Sequence, residues 1–255
     1  MNNFILAHVI WEKARLNLKS EASVNYLSYC WWIIEPITHM ACYYVIFELL
    51  LQRGGPDFVY FLMVGLVFWL WFAKTVTQGA GSLVGGSGLM NQRQIPKVFF
   101  PLVFIVQATV KQTLVIAILL MFLILAGFSP GIEWLGIIPL VLVQLLFMIP
   151  VSMILALVLV YVRDFKYVIP TFIQFMFFGS GIFYSFDRIS SEYKDYFLIN
   201  PMAGLIKEYR NVLLHQQWPD WLYLGSVAGA SVFLFAVILT LYVKKDRKIA
   251  RIVSV

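Results

Sequence analysis

Six apolar stretches, each long enough to cross a lipid bilayer, constrain this sequence more than any other feature. A membrane-spanning helix needs about 20 mostly apolar residues. Stretches of that length occur at approximately 27–51, 58–81, 101–127, 135–162, 167–186 and 220–243. Charged residues make up only 13% of the chain, whereas soluble domains carry about 25%. The sequence therefore predicts an all-α membrane protein with six transmembrane helices.

The breaks between these stretches have the composition of turns. Glycine, proline and polar residues are concentrated in QRGGPD at 52–57, GGSGLMNQRQIP at 85–96 and GFSPG at 127–131. Such clusters between apolar runs are typical of loops. The run from 135 to 186 is too long for one helix, and the charged segment RDFK at 163–166 divides it. This segment, the RDFK turn, is therefore predicted to connect two antiparallel spans.

The first 25 residues are too polar to span a membrane. Apolar residues such as Leu6, Ile10 and Trp11 mix with charged residues such as Glu12 and Lys13, a pattern typical of an amphipathic helix in the membrane interface. A disordered leader is the alternative, which the Trp, Leu and Ile content disfavours. The segment lacks the basic start, apolar run and cleavage site of a signal peptide, so we expect it in the mature protein.

Lysine and arginine are distributed unevenly between the two sets of loops, and loops rich in them lie on the cytoplasmic side. The N-terminal segment, the second loop, the RDFK turn and the tail contain Lys13, Arg15, Lys19, Arg93, Lys97, Arg163, Lys166, Lys244, Lys245, Arg247, Lys248 and Arg251. The opposite set contains only Arg53, Arg188, Lys194, Lys207 and Arg210. Both termini are therefore expected in the cytoplasm. We expect one transmembrane domain over 1–255, with an interface helix at 1–25, six spans over about 27–243 and a basic cytoplasmic tail at 244–255.

The connection between the fifth and sixth spans contains a second amphipathic pattern. Asn200 can cap a helix that has Pro201 in its first turn. The residues at helical spacing after this cap are Leu205, Ile206, Tyr209, Val212 and Leu213, set against Lys207, Glu208 and Arg210. The pattern predicts short helices on the outward side, one of them amphipathic and on the outer surface. This helix could be a lid or a dimer contact, or it could take part in the exit of a substrate.

No set of residues in the sequence indicates covalent chemistry or metal binding. The glycine-rich stretch at 79–88 lacks the closing Lys-Ser/Thr of a phosphate-binding P-loop. Its Gly81 and Gly85, four residues apart, favour close helix packing instead. The three histidines are scattered without metal-ligand spacing. We therefore expect no catalytic residue and no metal site, and transport is the function class that remains.

Charged residues inside the predicted spans are consistent with transport. Lys111 lies near the centre of the third span, where a charge costs about 2.5 to 3.5 kcal/mol on insertion scales. We expect it to face protein or water, with Glu35 or Glu48 of the first span as its partner. Such a pair could hold two helices together, or Lys111 could face a substrate. Lys74 lies nearer the cytoplasmic end, from which its ammonium group could reach water.

Aromatic residues are concentrated in the first and fifth spans, and in the first they extend beyond the interfacial belts that membrane proteins usually have. The flat apolar face of an aromatic ring can contact a sugar ring without requiring one hydrogen-bond pattern. A path lined with such rings would let a glycan slide, although simple helix packing is the alternative. The candidate channel residues are Tyr29, Trp32, Tyr43, Phe47, Phe172, Phe175, Phe178 and Tyr184.

Four stretches carry a family resemblance that covers nearly the whole chain. They are WWIIEP, YFLMVGLVFWLWF with the following SLVGGSGLMNQRQIPKVFFP, RDFKYVIPTFIQFMFFGSGIFYS, and NPMAGLIKEYRNVLL. With these stretches the chain resembles ABC-2-type permeases of the polysaccharide export group, in particular the O-antigen export permeases called Wzm and their capsule and teichoic-acid relatives. Two positions of the first span depart from the family pattern: Ser28 stands where Gly is usual, and Glu35 where Asn is frequent.

The resemblance implies a half-transporter. Two copies of this chain would form a homodimer and bind two copies of a separate ATPase subunit, which would use ATP and Mg; this chain would bind no cofactor itself. The family's path is lined chiefly by the first and fifth spans. Its ATPase contacts fall on cytoplasmic loops, which assigns docking and coupling here to Asn91, Gln92, Arg93, Arg163, Asp164 and Lys166. An ion-paired RDFK turn could transmit ATP-driven movement, and a plain turn is the alternative.

The resemblance further implies ATP-driven export of a lipid-linked, O-antigen-type polysaccharide across the bacterial inner membrane. Membrane lipids would be partners and nucleic acid would not. Export of capsule polysaccharide, teichoic acid, a drug or a small lipid by the same kind of permease is the alternative, and a bare channel is another. A membrane-embedded enzyme of glycan assembly is a remote alternative, because it would need a cluster of acids or histidines near one membrane face.

Overall fold

The computed structural model describes residues 3–24, 28–50, 57–92, 95–186 and 190–253, and all regular structure within these ranges is helical. The α-helices are α1 (Asn3–Val24), α2 (Ser28–Tyr44), α3 (Phe58–Gly85), α4 (Ser87–Gln92), α5 (Phe99–Leu125), α6 (Ile137–Tyr161), α7 (Phe165–Phe178), α8 (Ser191–Leu198), α9 (Pro201–Leu213) and α10 (Trp221–Val253). A π-helix at Val45–Leu50 continues α2, and a short 3-10 helix at Ile132–Gly136 leads into α6. The predicted all-α class is confirmed for the described residues.

Four helical segments are long and apolar enough to cross a membrane. They are Phe58–Gly85, Phe99–Leu125, Ile132–Tyr161 and Trp221–Asp246, which coincide with the predicted second, third, fourth and sixth spans. The first predicted span corresponds to α2 and its π-helical continuation, and parts of it lie outside the described residues. Six spans therefore stay a prediction.

The helix expected over 167–186 is shorter than predicted. α7 is apolar but ends at Phe178 after 14 residues, a length of about 21 Å against the roughly 30 Å of a bilayer's hydrocarbon core. The chain turns directly after it, and Gly181 has a φ of 67°, a backbone conformation that glycine adopts without steric cost. The glycines of this segment thus end the helix before it could complete a span.

α3 is the central helix of the bundle, and its side chains are buried on nearly all sides because α2, α5, α6, α7 and α9 contact it. Two glutamines fix its neighbours. The side-chain Nε2 of Gln112 donates to the Val67 carbonyl (3.3 Å), and that of Gln144 donates to the Phe68 carbonyl (2.9 Å). Hydrogen bonds between helices satisfy polar groups that lipid cannot. α3 therefore forms a frame against which the other helices are positioned.

Helices approach each other closely at a glycine other than those expected. A Cβ added to Gly79 of α3 would lie 2.8 Å from the Cβ of Ser152 on α6. Gly81 and Gly85 have no described atom within 4 Å of such a Cβ. The prediction that these two glycines mediate close packing is therefore wrong within this chain, because the contact face of α3 is rotated away from them.

α1 runs along α5 in the same direction. Asn17 Nδ2 donates to Gln107 Oε1 (3.3 Å). One turn further along both helices, Glu21 pairs with Lys111, and it also accepts a hydrogen bond from Gln107. Equal steps of four residues on the two helices mean that their axes run parallel here. The predicted N-terminal helix is present, and its second half packs on protein, whereas Phe4 near its start is 85% exposed.

The bundle has two ends, which are named here after the ends of α3. The Phe58 end contains the start of α3, the end of α5 and the start of α10. The Gly85 end contains the end of α3, α4, the RDFK turn and the last part of α10. The basic tail is helical up to Val253, as a direct continuation of α10.

The start of α9 forms as the sequence predicts. Asn200 is the N-cap, its side-chain oxygen accepts a hydrogen bond from the Met202 backbone N–H (3.1 Å), and Pro201 occupies the first turn. The amide of Asn200 also donates to Ser180 Oγ (2.8 Å), which ties this cap to the segment after α7. The predicted short helices between the fifth and sixth predicted spans are thus present as α8 and α9.

α9 itself is buried among α3 and α6, so the prediction that it lies on the surface is wrong. Tyr209 is fully buried and stacks on Phe68 of α3 with ring centroids 3.5 Å apart. Burial raises the pKa of the Tyr209 phenol well above its ordinary value. Glu208 is also buried, and its carboxylate accepts hydrogen bonds from Asn211 Nδ2 (3.2 Å) and the Asp220 backbone N–H (3.0 Å), which offset the cost of burying it. The polar side chains that predicted a solvated face thus find partners inside the protein.

Candidate functional site

One face of α7 is exposed along the length of the helix. Phe172, Phe175 and Phe178 are 61%, 73% and 54% exposed, and their spacing of three residues puts them on the same side of the helix. The residues buried on the opposite side are Ile169, Ile173 and Phe177. Three of the eight predicted channel residues therefore form one aromatic stripe.

The exposed face of α7 also carries an amide. Gln174 is exposed and has no hydrogen-bond partner among the described residues. The hydroxyl of Thr171, also exposed, donates to the Tyr167 carbonyl (2.9 Å), so it needs no other partner. An unpaired amide is costly in lipid and normally faces protein or water in a membrane protein. The stripe is thus chemically unlike a surface that only contacts lipid tails.

Tyr43 connects α2 to this face. Its ring centroid lies 5.6 Å from that of Phe177 and 4.9 Å from that of Phe183, and Phe183 stacks on Phe178 at 5.9 Å. The hydroxyl of Tyr184 donates to the Phe178 carbonyl (3.1 Å). Aromatic pairs of this kind contribute about 0.5–1.5 kcal/mol each beyond area burial. The aromatic surface is defined here as Tyr43, Phe172, Phe175, Phe178 and Tyr184.

The three other predicted channel residues are on α2 and its continuation. Tyr29 and Trp32 belong to α2, and Phe47 to the π-helix that follows. Their side chains lie outside the described part of the structure, so their place on a path stays a prediction.

A polar cavity of about 330 Å³ lies between α2, α3 and α5. Glu35 and Lys74 line it and form an ion pair with each other. Lys111 also lines it and pairs with Glu21 of α1. Glu35, one of the two carboxylates expected beside Lys111, is thus paired with Lys74. The two charges that the sequence singled out nonetheless lie around one cavity.

The cavity contains further polar groups that sequence reasoning missed. Gln78 and Gln112 line it, and so does Trp71. The indole Nε1 of Trp71 is buried and has no hydrogen-bond partner in the described structure. A buried donor without a partner costs about 1–3 kcal/mol, so water or another acceptor would be stabilised there. The sequence does contain a signal for this arrangement, because Trp71, Lys74 and Gln78 are spaced by three and four residues and are therefore predicted to share one face of a helix.

The RDFK turn lies at the Gly85 end, and its charges are exposed. Backbone hydrogen bonds from Lys166 to the Arg163 carbonyl (3.2 Å) and from Tyr167 to the Asp164 carbonyl (3.1 Å) hold it. Arg163 and Asp164 form no ion pair within the described residues, so the expected ion-paired turn is wrong. The turn is held instead by the backbone of the first helical turn, which joins it to α7 without a linker.

The other predicted docking segment, at 91–93, is followed by a contact with α10. Gln92 ends α4 and is exposed, whereas the side chains of Asn91 and Arg93 lie outside the described residues. Lys97 follows, and its backbone N–H donates to Asp246 Oδ1 (3.0 Å) while its Nζ lies 3.7 Å from Oδ2. The sequence could not reveal this contact because 149 residues separate its partners.

A groove of about 390 Å³ connects the RDFK turn to α3. Arg163 and Lys166 line it on one side, and Gly81 and Val84 of α3 line it on the other. The face of Gly81 that was expected to contact another helix thus borders this open groove.

Within the residues that the structure describes, no group of three or more His, Cys, Asp and Glu is arranged to hold a metal ion.

Comparisons with known proteins give relatives that match nearly the full length. No protein-family model matches the chain. The O-antigen export system permease protein RfbA of Klebsiella pneumoniae is 25% identical over 237 residues, which cover 92% of this chain and 91% of the relative. RfbA of Myxococcus xanthus is 26% identical over 219 residues, with 85% and 84% covered. The polysialic acid transport protein KpsM of Escherichia coli is 25% identical over 223 residues, with 85% of each chain covered.

Proposed function

Because the chain belongs to the ABC-2 family of polysaccharide export permeases, we propose that it is the membrane subunit of an ATP-driven exporter of lipid-linked, O-antigen-type polysaccharide. The observation that carries this proposal is the aromatic surface with its unpaired Gln174. The relatives named for O-antigen export support the same substrate class. ATP and Mg would bind to a separate ATPase subunit.

The proposed transporter is a homodimer in which each copy crosses the membrane six times. α2 would be the first span and α7, with the segment after it, the fifth. A two-fold axis between the copies would place two aromatic surfaces opposite each other across one central path. No described residue of the chain covers Phe172, Phe175 and Phe178 of this surface, which supports a role for it between two copies.

The chemistry of the aromatic surface suits a sliding glycan. Rings such as Phe172 and Phe175 offer flat apolar contact to sugar faces, and Gln174 offers an amide that can exchange hydrogen bonds with successive hydroxyls. No single contact is strong enough to hold one sugar in place. A repeating polymer could therefore move past the surface without a large barrier at any step.

In the proposed arrangement both termini and the Gly85 end are cytoplasmic, and the ATPase docks there. Gln92 and the RDFK turn, together with Asn91 and Arg93, would contact it. Since the turn continues directly into α7, movement of the ATPase would be transmitted to the helix that carries the aromatic surface. The hydrogen bond and ion pair between Lys97 and Asp246 would hold the loop between α4 and α5 against α10 during this movement.

The two ion pairs around the polar cavity would each hold neighbouring helices together. Lys74–Glu35 joins α3 to α2, and Lys111–Glu21 joins α5 to α1. In a low-dielectric environment, a charge that loses its partner is costly. We therefore propose a structural role for both pairs. The Lys74–Glu35 pair would limit how far α2 can move when the path opens.

The test is polysaccharide export in cells that lack the native permease and carry a plasmid-borne variant. The double variant F172A/F175A should reduce surface polysaccharide at least about fivefold, since each ring contact contributes about 1 kcal/mol. The matched control is F233A, because Phe233 of α10 is 69% exposed on a helix that the family does not assign to the path. Normal export by the double variant, or an equal loss in the control, would contradict the proposed path.

Coupling is tested on the purified complex with its ATPase. R163Q/K166Q should lower vanadate-sensitive ATP hydrolysis and export while the helices of this chain stay folded. The control K244Q, which removes a cation of α10 at the same end of the bundle, should leave both unchanged. Recovery of this chain without any ATPase would contradict the half-transporter altogether.

Capsule polysaccharide is the second candidate substrate, and the similarity to KpsM favours it. The two candidates differ in which lipid-linked glycan stimulates ATP hydrolysis by the reconstituted complex. Stimulation by a capsule precursor alone would replace O-antigen as the substrate and leave the transport mechanism unchanged.

A further inference from the structure

A second cavity, of about 440 Å³, lies at the Phe58 end between α3, α9 and the segment that follows α7. It is called the α9 pocket here. Aromatic rings line part of it, among them those of Tyr184 and Phe197 with centroids 6.0 Å apart. Asn211 and Gln217 contribute amides. Flat rings combined with amides are suited to a sugar, which has apolar faces and hydroxyl edges.

Arg210 gives the pocket a buried positive charge. It is 5% exposed, and its Nε, Nη1 and Nη2 donate to the carbonyls of Phe61 (3.1 Å), Gly181 (2.6 Å) and Ile182 (2.9 Å). A guanidinium group has five N–H donors, so two remain after these bonds. No carboxylate pairs with Arg210 among the described residues. Within the described structure, carbonyl dipoles and the Phe61 ring, 3.3 Å away, stabilise its charge.

Lys207 adds a second cation to the lining. Its Nζ lies 4.6 Å above the Phe186 ring and 3.6 Å from Glu208 Oε1. Glu208 is outside the lining, and its other oxygen is already engaged by two N–H donors. His215 also lines the pocket, whereas no acidic side chain of the described residues does. The pocket therefore combines sugar-binding surfaces with an excess of positive charge.

We propose that the α9 pocket binds an acidic sugar unit through its oxyanion, a carboxylate or a phosphate. The free N–H groups of Arg210 and the ammonium of Lys207 bind the oxyanion, and the ring of Tyr184 or Phe197 contacts the sugar face. Tyr184 also belongs to the aromatic surface, so the pocket borders the proposed path. This inference rests on the proposed function and narrows its substrate to a glycan or carrier that carries an anion.

Binding is measured on the purified permease–ATPase complex in nanodiscs without nucleotide, by isothermal titration calorimetry. The probes are a hyaluronan hexasaccharide, which carries glucuronate carboxylates, and maltohexaose, which is neutral and of the same length. The acidic probe should bind about tenfold more tightly, because charge-assisted hydrogen bonds are about twice as strong as neutral ones. Equal affinities would overturn the inference.

Lys207 is the residue to change, since Arg210 also holds three backbone carbonyls and its loss would disturb the fold. K207Q should weaken binding of the acidic probe about fivefold and leave binding of maltohexaose unchanged. K244Q removes the same charge at the other end of the bundle and should have no effect. Equal losses in the two variants would mean nonspecific charge attraction and would also overturn the inference.

Inorganic pyrophosphate distinguishes the two sources of the anion. If it displaces the acidic hexasaccharide from wild type and not from K207Q, the pocket accepts the phosphate of a lipid carrier. If pyrophosphate does not displace the hexasaccharide, the pocket binds a carboxylate of the glycan. Normal export by the wild type together with equal binding of both hexasaccharides would refute anion binding by the α9 pocket and leave the proposed path untouched. Normal export by F172A/F175A would contradict the proposed path and leave anion binding by the pocket untouched.

Discussion

α7 and α9 are of nearly equal length, 14 and 13 residues, and their environments are the reverse of what their compositions indicate. α7 is mostly apolar yet leaves its aromatic stripe exposed. α9 contains Lys207, Glu208 and Arg210 yet is almost completely buried. Burial of these two helices therefore follows the supply of hydrogen-bond partners, because α9 finds them inside the protein whereas no described residue covers one face of α7.

The strongest test of this comparison is removal of the buried cation from α9. Arg210→Met should destabilise the protein by about 3 kcal/mol or more, since three carbonyls lose a charged donor. The measurement is the thermal unfolding midpoint of the purified protein in detergent. Arg163→Met in the exposed RDFK turn is the matched control and should leave the midpoint almost unchanged. Similar midpoints for both variants would mean that α9 is not held by this network.

A smaller effect is expected from crowding the same network. A Cβ on Gly65 of α3 would lie 2.5 Å from Arg210 Nη2, so Gly65→Ala should displace the guanidinium and cost about 1–3 kcal/mol. Gly81→Ala, on the same helix, meets no described atom within 4 Å and should be neutral or stabilise by up to about 1 kcal/mol. Gly65→Ala should lower the thermal unfolding midpoint, and Gly81→Ala should leave it unchanged or raise it. A lower midpoint in both variants would contradict the assigned contact face of α3.

Two phenols, Tyr209 on α9 and Tyr223 of α10 beside it, distinguish the contribution of hydrogen bonding from that of packing. The hydroxyl of Tyr223 donates to the Pro201 carbonyl (3.1 Å), so Tyr223→Phe should cost about 1 kcal/mol. The hydroxyl of Tyr209 is buried without a partner in the described structure, so Tyr209→Phe should be neutral or slightly stabilising. Chemical denaturation of the two variants checks this order, and the reverse order would show that Tyr209 has a polar partner.

The smallest effect on stability is expected on α7. Gln174→Leu should change the free energy of unfolding by less than about 0.5 kcal/mol, because the amide is exposed and unpaired. Under the proposed function it should still reduce export, since the path would lose its amide. Phe233→Leu on α10 is the control for a change at an exposed apolar face. Unchanged export with Gln174→Leu would leave the aromatic rings alone as the sliding surface.

Part of the fold and site could be predicted because the signals are local. The four long spans follow from apolar length, and the start of α9 follows from Asn200 and Pro201, since a cap depends on neighbouring residues only. The contact between α2 and α7 through Tyr43 and the pairing of Lys111 with Glu21 could not be predicted. Both depend on which helices become neighbours, and side chains of suitable chemistry exist at several positions along the chain.

Apolar length and composition along the sequence were enough to identify a helical membrane protein, because the bilayer imposes both on each span. Local motifs were enough to identify which stretches resemble its relatives. Three features became visible only in the folded protein: α7 ends at Phe178, α9 is buried, and Glu35 pairs with Lys74. A buried charge is stable in a low-dielectric interior only where a counter-charge or a hydrogen-bonding group lies beside it. In this protein a distant part of the chain supplies that group, and sequence order alone does not reveal which part.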